Sequence, residues 1–184
     1  MGKFKVISQV PYGVKLIEPA VFGDSRGYFM ETYNRGDLAD IGITDNFIQD
    51  NESMSVYGVV RGLHYQAMPR TQAKLVRVIS GTVLDVAVDI RKDSPDFGKV
   101  FYAELSGDNH RQFYIPRGFA HGFAVLSEKA LFAYKCDNLY HPESECGIAF
   151  NDPDLAIDWQ IPEDKMILSA KDLHHPCFKD AKFF

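Results

Sequence analysis

Residues 58–66 read Gly-Val-Val-Arg-Gly-Leu-His-Tyr-Gln, and residues 72–78 read Gln-Ala-Lys-Leu-Val-Arg-Val. Runs of apolar and β-branched residues bounded by glycine are typical of β-strands. The first run is interrupted by one histidine, His64, and the second opens on one lysine, Lys74. Burying either side chain in a strand costs free energy unless the side chain has a partner or a function. These two residues are therefore the first candidates for chemistry.

The same alternation of short apolar runs and turn residues continues through the chain, about every ten positions. Residues 34–42 have the pattern of a short helix, with Asn34 as its cap and Gly42 at its end. Many short strands with regular turns and almost no helix predict an all-β sandwich or barrel. We also predict that residues 74–80 and 82–90 form a hairpin around Gly81. In its second arm the alternation predicts two faces, one with Leu84, Val86, Val88 and Ile90 and the other with Val83, Asp85, Ala87 and Asp89. In the proline-broken tail, residues 169–172 can begin a short helix.

Size and charge limit the classes of function. A chain of 184 residues is long enough for one substantial core, and we predict a single domain over residues 1–184. The net charge of -5 disfavours a nucleic-acid or anionic-membrane surface but is compatible with a small anionic ligand. The three cysteines are an odd number without a Cys-x-x-Cys pair, which favours a reducing, cytoplasmic location. No apolar run reaches the ~18 residues that suggest a transmembrane helix.

One motif bears on metal binding. Residues 116–121, Pro-Arg-Gly-Phe-Ala-His, have the spacing of the second motif of cupin jelly rolls. Metal-binding cupins carry a His-x-His pair on the earlier strand, whereas this chain has His64-Tyr65-Gln66. Because a bound transition metal needs three or four ligands, we predict no metal centre. A metal-dependent oxygenase, or a sugar-binding jelly roll without catalysis, remains a remote alternative.

Each further candidate has a structural explanation when it is taken alone. Tyr134 can be a core aromatic, and Asp172 can cap a helix that starts at Ser169. As a set, however, an imidazole base, a phenol acid and an ammonium can move a proton beside a carbonyl group. A carboxylate behind the imidazole would fix its tautomer. Neither a Rossmann nor a P-loop fingerprint is present, so a nicotinamide route is not supported.

Long ordered motifs resemble the dTDP-4-dehydrorhamnose 3,5-epimerase family, and they lie in residues 59–66, 72–81, 85–91, 114–126, 134–145, 151–159 and 168–172. The resemblance implies a cupin-like jelly-roll β-sandwich with a short helical C-terminal tail, a homodimer, and no cofactor. It implies epimerisation at C3 and C5 of dTDP-4-dehydro-6-deoxy-D-glucose, which gives dTDP-4-dehydro-L-rhamnose for dTDP-L-rhamnose biosynthesis. Relatives that invert only C3 or only C5 can keep the same four residues, His64, Lys74, Tyr134 and Asp172. A single-centre epimerase therefore remains the alternative.

The resemblance also implies roles for individual residues. His64 matches the general base, Asp172 its carboxylate partner, Lys74 the stabiliser of the enolate, and Tyr134 the general acid. The positions that match substrate-binding residues, in addition to Lys74, are Arg26, Glu31, Gln49, Asp50, Asn51, Arg61, His121, Tyr140, Glu145 and Lys171. An arginine suits a diphosphate because its planar fork makes two parallel hydrogen bonds, and Tyr140 can stack on thymine.

Two features need an explanation from the fold. Arg61 and His64 are separated by an odd number of residues, so a flat strand would place them on opposite faces. Both can meet one ligand only if Gly62 marks a β-bulge, or if Arg61 serves the site of a partner subunit. The family usually has Trp-Pro where this chain has Trp159-Gln160, a difference in the tail that delivers Asp172.

Overall fold

The computed structural model describes residues 2–10 and 13–183. Its strands and helix are, in chain order, β1 (Phe4–Gln9), β2 (Lys15–Pro19), β3 (Val21–Asp24), β4 (Gly27–Met30), α1 (Arg35–Asp40), β5 (Gln49–Val56), β6 (Val60–Gln66), β7 (Lys74–Ser80), β8 (Thr82–Asp89), β9 (Val100–Ser106), β10 (Gln112–Ile115), β11 (Phe119–Val125), β12 (Lys129–Cys136) and β13 (Glu145–Gly147). Short 3-10 turns follow at Pro142–Ser144, Glu163–Lys165, Asp172–His174 and Phe178–Asp180. In the described ranges no helix has the length and apolar character of a membrane span.

Two antiparallel sheets form a sandwich. The larger sheet has the order β1-β2-β10-β7-β12-β5, and the smaller has the order β13-β6-β11-β8-β9. Strands β3 and β4 pair only with each other, as a separate hairpin. The prediction of an all-β, cupin-like jelly roll with short helical turns in the tail is confirmed.

The predicted hairpin around Gly81 is wrong. Strand β7 pairs with β10 and β12, whereas β8 pairs with β9 and β11 in the other sheet. Gly81 has a φ of 81°, and a Cβ atom there would lie 2.0 Å from the backbone oxygen of Lys129. The glycine therefore marks a tight corner at which the chain crosses between sheets. Two apolar runs joined by one glycine fit both a hairpin within one sheet and a crossing between two sheets. The pattern alone therefore does not distinguish the two.

Strand β8 explains how the two layers of the core are organised. Val83 and Ala87 pack between the two sheets, against Phe132 and other residues of the larger sheet. Val86 and Val88 face the other way, into a second cluster that the C-terminal tail covers with Trp159. The predicted division of residues 82–90 into two faces is confirmed. Because both faces are buried, Asp85 on this strand has no access to solvent.

Of the two alternatives for Arg61 and His64, the bulge at Gly62 is present. His64 lies opposite His121, and Arg61 lies opposite Phe123, so three steps on β6 match two on β11. A Cβ atom on Gly62 would lie 2.6 Å from the Cα of Gly122, so only glycine fits. The extra residue shifts the alternation of side chains, and Arg61 and His64 come to the same face.

Helix α1 begins as its sequence predicts. The Asn34 side chain accepts hydrogen bonds from the backbone N–H groups of Gly36 and Asp37, and Gly42 beyond the helix has a φ of 79°. Leu38 is 1% exposed and packs in a cluster with Ile17 and Leu75 of the larger sheet. The helix thereby covers part of the outer face of that sheet.

Candidate active site

A cavity of about 330 Å³ opens at one end of the sandwich, between the two sheets. Its wall comes from β6 of the smaller sheet, from β5, β7 and β12 of the larger sheet, and from the loop before β13. The lining residues are Gln49, Asn51, His64, Tyr65, Gln66, Gln72, Lys74, Tyr134, Cys136, Tyr140 and Glu145. Seven of the predicted site residues are thus brought together around one space large enough for a small-molecule ligand.

His64 is backed by a carboxylate. Its Nε2 lies 2.5 Å from Oδ1 of Asp172, which is 108 residues away in the chain and only 3% exposed. Although burial opposes ionisation, the hydrogen bond from His64 lowers the pKa of Asp172 below its usual value. An ionised carboxylate can only accept, so Nε2 carries the proton and Nδ1 keeps its lone pair. The imidazole is thereby held in the tautomer that a base requires.

The tail turn explains how Asp172 reaches this position. Its backbone N–H donates to the hydroxyl of Ser169, so the serine caps the turn. The Asp172 carboxylate bonds the imidazole of His64 instead of the backbone of the turn. The geometry of Asp172 is therefore that of a partner to His64, not that of a cap.

A second histidine–aspartate pair lies behind Lys74. The Nζ of Lys74 is 3.4 Å from Nδ1 of His121, whose Nε2 is 3.1 Å from both carboxylate oxygens of Asp85. An ammonium group only donates, so Nδ1 accepts from Lys74 and Nε2–H donates to Asp85. Burial lowers the pKa of Lys74, and the negative charge of Asp85 opposes that shift. His121 thus orients the lysine from behind rather than facing the cavity.

Tyr134 lies across the cavity from His64. It stands on β12 of the larger sheet, and Lys74 Nζ is 6.0 Å from the centre of its ring. Burial raises the pKa of Tyr134, so its hydroxyl keeps its proton at neutral pH and can donate it. A proton acceptor on one sheet and a proton donor on the other therefore line the same cavity, with the ammonium group of Lys74 in its wall as well.

The rim of the cavity is a chain of polar contacts. Gln49 accepts from the backbone N–H of Tyr140 through Oε1 and donates to Asn51 through Nε2, both at 3.0 Å. The hydroxyl of Tyr140 lies 2.9 Å from Oε2 of Glu145, and Lys171 Nζ lies 2.6 Å from Oε1 of the same carboxylate. The ring of Tyr140 is 51% exposed, which leaves an aromatic face available for stacking.

Besides Arg61, His121 and Lys171, three predicted substrate-binding residues do not line this cavity in the described chain. Asp50 alternates with Gln49 and Asn51 on β5, so it points to the other face and pairs with Lys135. Arg26 lies in the exposed turn between β3 and β4 and pairs with Asp24, and Glu31 follows β4 and pairs with Lys3. Among the described residues the β3–β4 hairpin pairs with neither sheet, and these last two residues bond partners outside the lining of the cavity.

Arg61 lies near the cavity but outside the set of residues that line it. The bulge turns its guanidinium towards β5 of the other sheet, where Nη2 donates to Ser55 Oγ at 3.2 Å. Its positive charge is near enough to Tyr134 to oppose the rise in the pKa of that phenol. Arg61 is therefore available to an anionic group at the mouth of the cavity.

Sequence reasoning missed several residues of the site. Asp85 carries the same signal that singled out His64, one charged residue in an apolar run, but it was treated only as part of a strand face. The Gln66 amide bonds backbone groups of Arg70, Leu139 and His141, so it holds the loops beside the cavity. His175 lies beside Asp172, and no sequence motif singles it out. Burial raises the pKa of the lining thiol Cys136 to about 11, which makes it a poor nucleophile.

Comparison with known proteins gives consistent matches over nearly the whole chain. A family model described as dTDP-4-dehydrorhamnose 3,5-epimerase matches residues 10–180. The chain is 50% identical over 173 residues to the dTDP-4-dehydrorhamnose 3,5-epimerase of Methanothermobacter thermautotrophicus, covering 94% of this chain and 93% of that protein.

Two solved structures are similar at the level of the fold. The crystal structure of dTDP-4-dehydrorhamnose 3,5-epimerase from Elizabethkingia anophelis has a TM-score of 0.93 and 54% identity, covering 99% of this chain and 100% of that chain. The Legionella pneumophila dTDP-6-deoxy-D-glucose-3,5-epimerase, in complex with dTDP-4-keto-L-rhamnose, has a TM-score of 0.92 and 51% identity. It covers 96% of this chain and 94% of that chain.

Proposed function

This chain belongs to the dTDP-4-dehydrorhamnose 3,5-epimerase family of isomerases, and we propose that it inverts C3 and C5 of dTDP-4-dehydro-6-deoxy-D-glucose. The product is dTDP-4-dehydro-L-rhamnose, the 4-keto sugar on the way to dTDP-L-rhamnose. The observation that carries this proposal is that His64 on one sheet and Tyr134 on the other line a single cavity, together with Lys74. Inverting a carbon requires removal of a proton from one face and its return to the other.

Each step of the proposed reaction has a residue with suitable chemistry. Nδ1 of His64 removes the proton from the carbon beside the C4 ketone, and Asp172 stabilises the imidazolium that forms. The Lys74 ammonium, oriented by His121, stabilises the negative charge on the enolate oxygen. Tyr134 then donates a proton to the opposite face of the carbon. C3 and C5 both flank the ketone, so the same set of groups can act on each in turn.

Recognition of the nucleotide is assigned to the rim. The aromatic face of Tyr140 suits stacking on thymine, and Gln49, Asn51 and Glu145 offer hydrogen bonds beside it. Arg61 and Lys171 supply positive charge for the diphosphate at the mouth of the cavity. Local cations of this kind explain how a chain of net charge -5 can bind an anionic ligand.

The test is proton NMR of the sugar during incubation with dTDP-4-keto-6-deoxyglucose in deuterium oxide. The proposal expects deuterium at both C3 and C5, and a product that a following reductase converts to dTDP-L-rhamnose. Exchange at one carbon would instead identify a single-centre epimerase. Absence of exchange at either carbon would overturn the assigned reaction, with a denatured sample as the control for chemical exchange.

We propose further that the protein is a homodimer whose β3–β4 hairpin completes the partner's site. An isolated two-stranded hairpin is marginally stable in water. This one exposes Phe22, Tyr28 and Phe29 at 55%, 57% and 63%, which favours burial against a second copy. Arg26 lies in the turn of that hairpin, so the same contact would bring a guanidinium to a cavity it does not reach in its own chain.

A mixing experiment tests this assembly. His64→Asn and Arg26→Ala variants, co-expressed with different tags, form mixed dimers that contain one intact site if the hairpin crosses between subunits. We expect about a quarter of wild-type activity at low substrate concentration, because half of the dimers are mixed and each has one good site. Activity no higher than the sum of the two variants measured alone would refute a site shared between subunits.

A cytoplasmic location and a single domain remain predictions with support from other observations. Cys136, Cys146 and Cys177 are all free thiols, which suits a reducing compartment. Both sheets and the tail contribute to the same clusters of buried residues, as expected of one cooperative unit. A single calorimetric transition, with equal van't Hoff and calorimetric enthalpies, is the measurement that checks the domain prediction.

A further inference from the structure

The tail places a third metal-binding side chain beside the His64–Asp172 pair. The Nε2 atoms of His64 and His175 and a carboxylate oxygen of Asp172 all lie within 4.8 Å of one another. His175 Nε2 is 3.4 Å from Asp172 Oδ1, and the two imidazole rings meet edge to face with centres 5.5 Å apart. Two imidazoles and one carboxylate are a ligand set that zinc uses in catalytic sites that keep a fourth position open.

The nitrogen of His175 is oriented towards this cluster without a hydrogen bond of its own. Its Nε2 is buried and has no hydrogen-bond partner among residues 2–10 and 13–183. The ring packs against Gly147, where a Cβ atom would lie 2.4 Å from it. A buried imidazole nitrogen whose contact to a carboxylate is as long as 3.4 Å is poorly satisfied unless something occupies the space between them.

From this geometry we propose that His64, Asp172 and His175 form an inhibitory binding site for a zinc ion. Zinc bonds of about 2.0–2.1 Å in a tetrahedral site place ligand atoms roughly 3.3 Å apart. The separation of Asp172 from His175 already has this value, and the 2.5 Å between His64 and Asp172 must open by less than about 1 Å. A water molecule would complete the tetrahedral set as the fourth ligand.

Inhibition follows from which nitrogen the metal takes. In the metal-free pair, Nε2–H of His64 donates to Asp172 and Nδ1 carries the lone pair. When zinc bonds to Nε2, that proton moves to Nδ1 by way of solvent, and a neutral imidazole remains with no net release of a proton. A protonated Nδ1 cannot accept a proton from a substrate. The ion would thus block the proposed base from behind, without occupying the space in which the sugar binds.

Direct binding tests the site without reference to activity. Zinc alone is titrated into the chelator-treated protein in competition with a chromophoric chelator. We expect one ion per chain, and His175→Gln should weaken its affinity at least about tenfold. His174→Gln is the matched control, because the neighbouring His174 is exposed and its Nδ1 bonds the backbone oxygen of Ala170. Equal affinity of wild type and His175→Gln, or an equal loss in His174→Gln, would overturn the proposal by locating zinc elsewhere.

A second variant guards against a folding defect. Gly147→Ala adds a methyl group where the His175 ring lies, so it should displace the ring and weaken zinc binding while leaving all three ligands in the chain. Thermal melting of each variant in the presence of a chelator checks that it is folded. Tight zinc binding by a folded Gly147→Ala protein whose His175 is displaced would argue against the site.

The expected effect of zinc on the reaction rate rests on the proposed epimerase function. Zinc should lower kcat with little change in KM, because it deactivates His64 from the side away from the cavity. Inhibition is expressed for each variant as the ratio of rates with and without zinc, and His175→Gln should need at least about tenfold more zinc. A rise in KM with unchanged kcat would contradict binding behind the imidazole. Failure of the enzyme assay alone would leave the direct binding result standing, so the two proposals can fail separately.

Discussion

Two histidine–aspartate pairs lie near each other in this protein and differ in almost every physical respect. In the first pair His64 is 28% exposed by its side chain, and its hydrogen bond to Asp172 is 2.5 Å long. In the second pair His121 is 7% exposed and Asp85 fully buried, at 3.1 Å. The free nitrogen of His64 faces an open cavity, whereas that of His121 is occupied by Lys74. One pair can exchange a proton with a ligand, and the other can only hold a lysine in place.

The comparison shows that the same two residue types take their role from burial and from the partner of the second nitrogen. A histidine with an open nitrogen beside a cavity can accept a proton from a ligand there, while the carboxylate holds its other nitrogen. A histidine buried between a carboxylate and an ammonium keeps a fixed tautomer, and burial lowers its pKa. Three substitutions and a pH series test whether the two pairs differ in this way.

The largest effect is expected on turnover from His64→Asn. Asn cannot accept the proton at the position of Nδ1, so kcat should fall by about 10²–10⁴-fold, the usual weight of a general base. Deuterium exchange into the sugar should fall with it. The measurement is steady-state turnover together with exchange by NMR, and a variant near the wild-type rate would remove His64 from the role of base.

His121→Ala should act first on stability. It leaves the fully buried Asp85 without its hydrogen-bond donor, and a buried acceptor left unsatisfied in this way typically costs roughly 3 kcal/mol. His64→Ala should cost only about 1 kcal/mol, because Asp172 still has His175 and the solvent of the cavity nearby. Urea denaturation of both variants makes the comparison. Equal losses would mean that the two pairs do not differ in the way their burial suggests.

Tyr134→Phe should separate proton removal from proton return. Without the phenol, water must donate to the second face, and we expect epimerisation to slow by about 10–100-fold, the lower part of the range for general acids. Exchange of deuterium should persist, since His64 is untouched. Loss of exchange as complete as in His64→Asn would show that Tyr134 does more than donate to the second face.

The smallest effect concerns stability against pH, and its sign differs between the two carboxylates. The folded-state pKa of Asp172 is below its usual 3.8, so its contribution is present above that value and is lost as pH falls through the folded pKa. Burial raises the folded-state pKa of Asp85, so its contribution is present below 3.8 and is lost as pH rises through the folded pKa.

Denaturation of wild type, Asp172→Asn and Asp85→Asn between pH 3 and 7, with a chelator present, measures this difference. The advantage of wild type over Asp172→Asn should grow by about 1 kcal/mol from the acidic to the neutral end. The advantage over Asp85→Asn should change in the opposite direction. Slopes of the same sign for both variants would contradict the assigned environments.

Much of the fold could be predicted because it depends on local patterns. The alternation along residues 82–90, the Asn34 cap and the bulge at Gly62 all follow from neighbouring residues, and each is present. The hairpin around Gly81 failed because a one-residue glycine corner fits both a turn within a sheet and a crossing between sheets. Pairing partners are chosen by contacts far along the chain, which a local pattern does not contain.

In the candidate site, too, some features follow from local sequence and others depend on contacts far along the chain. Its key residue types were visible in the chain, because a histidine or lysine in an apolar strand is costly unless it is used. The positions of these residues relative to one another depend on the tertiary structure. The pairing of the strands places Asp85 beside His121, and the tail brings Asp172 and His175 to His64. The direction of Asp50, which faces away from the cavity, is likewise set by the fold. The physical reason is that residue identity sets the cost of burial, whereas packing of two sheets and a tail decides which buried groups meet.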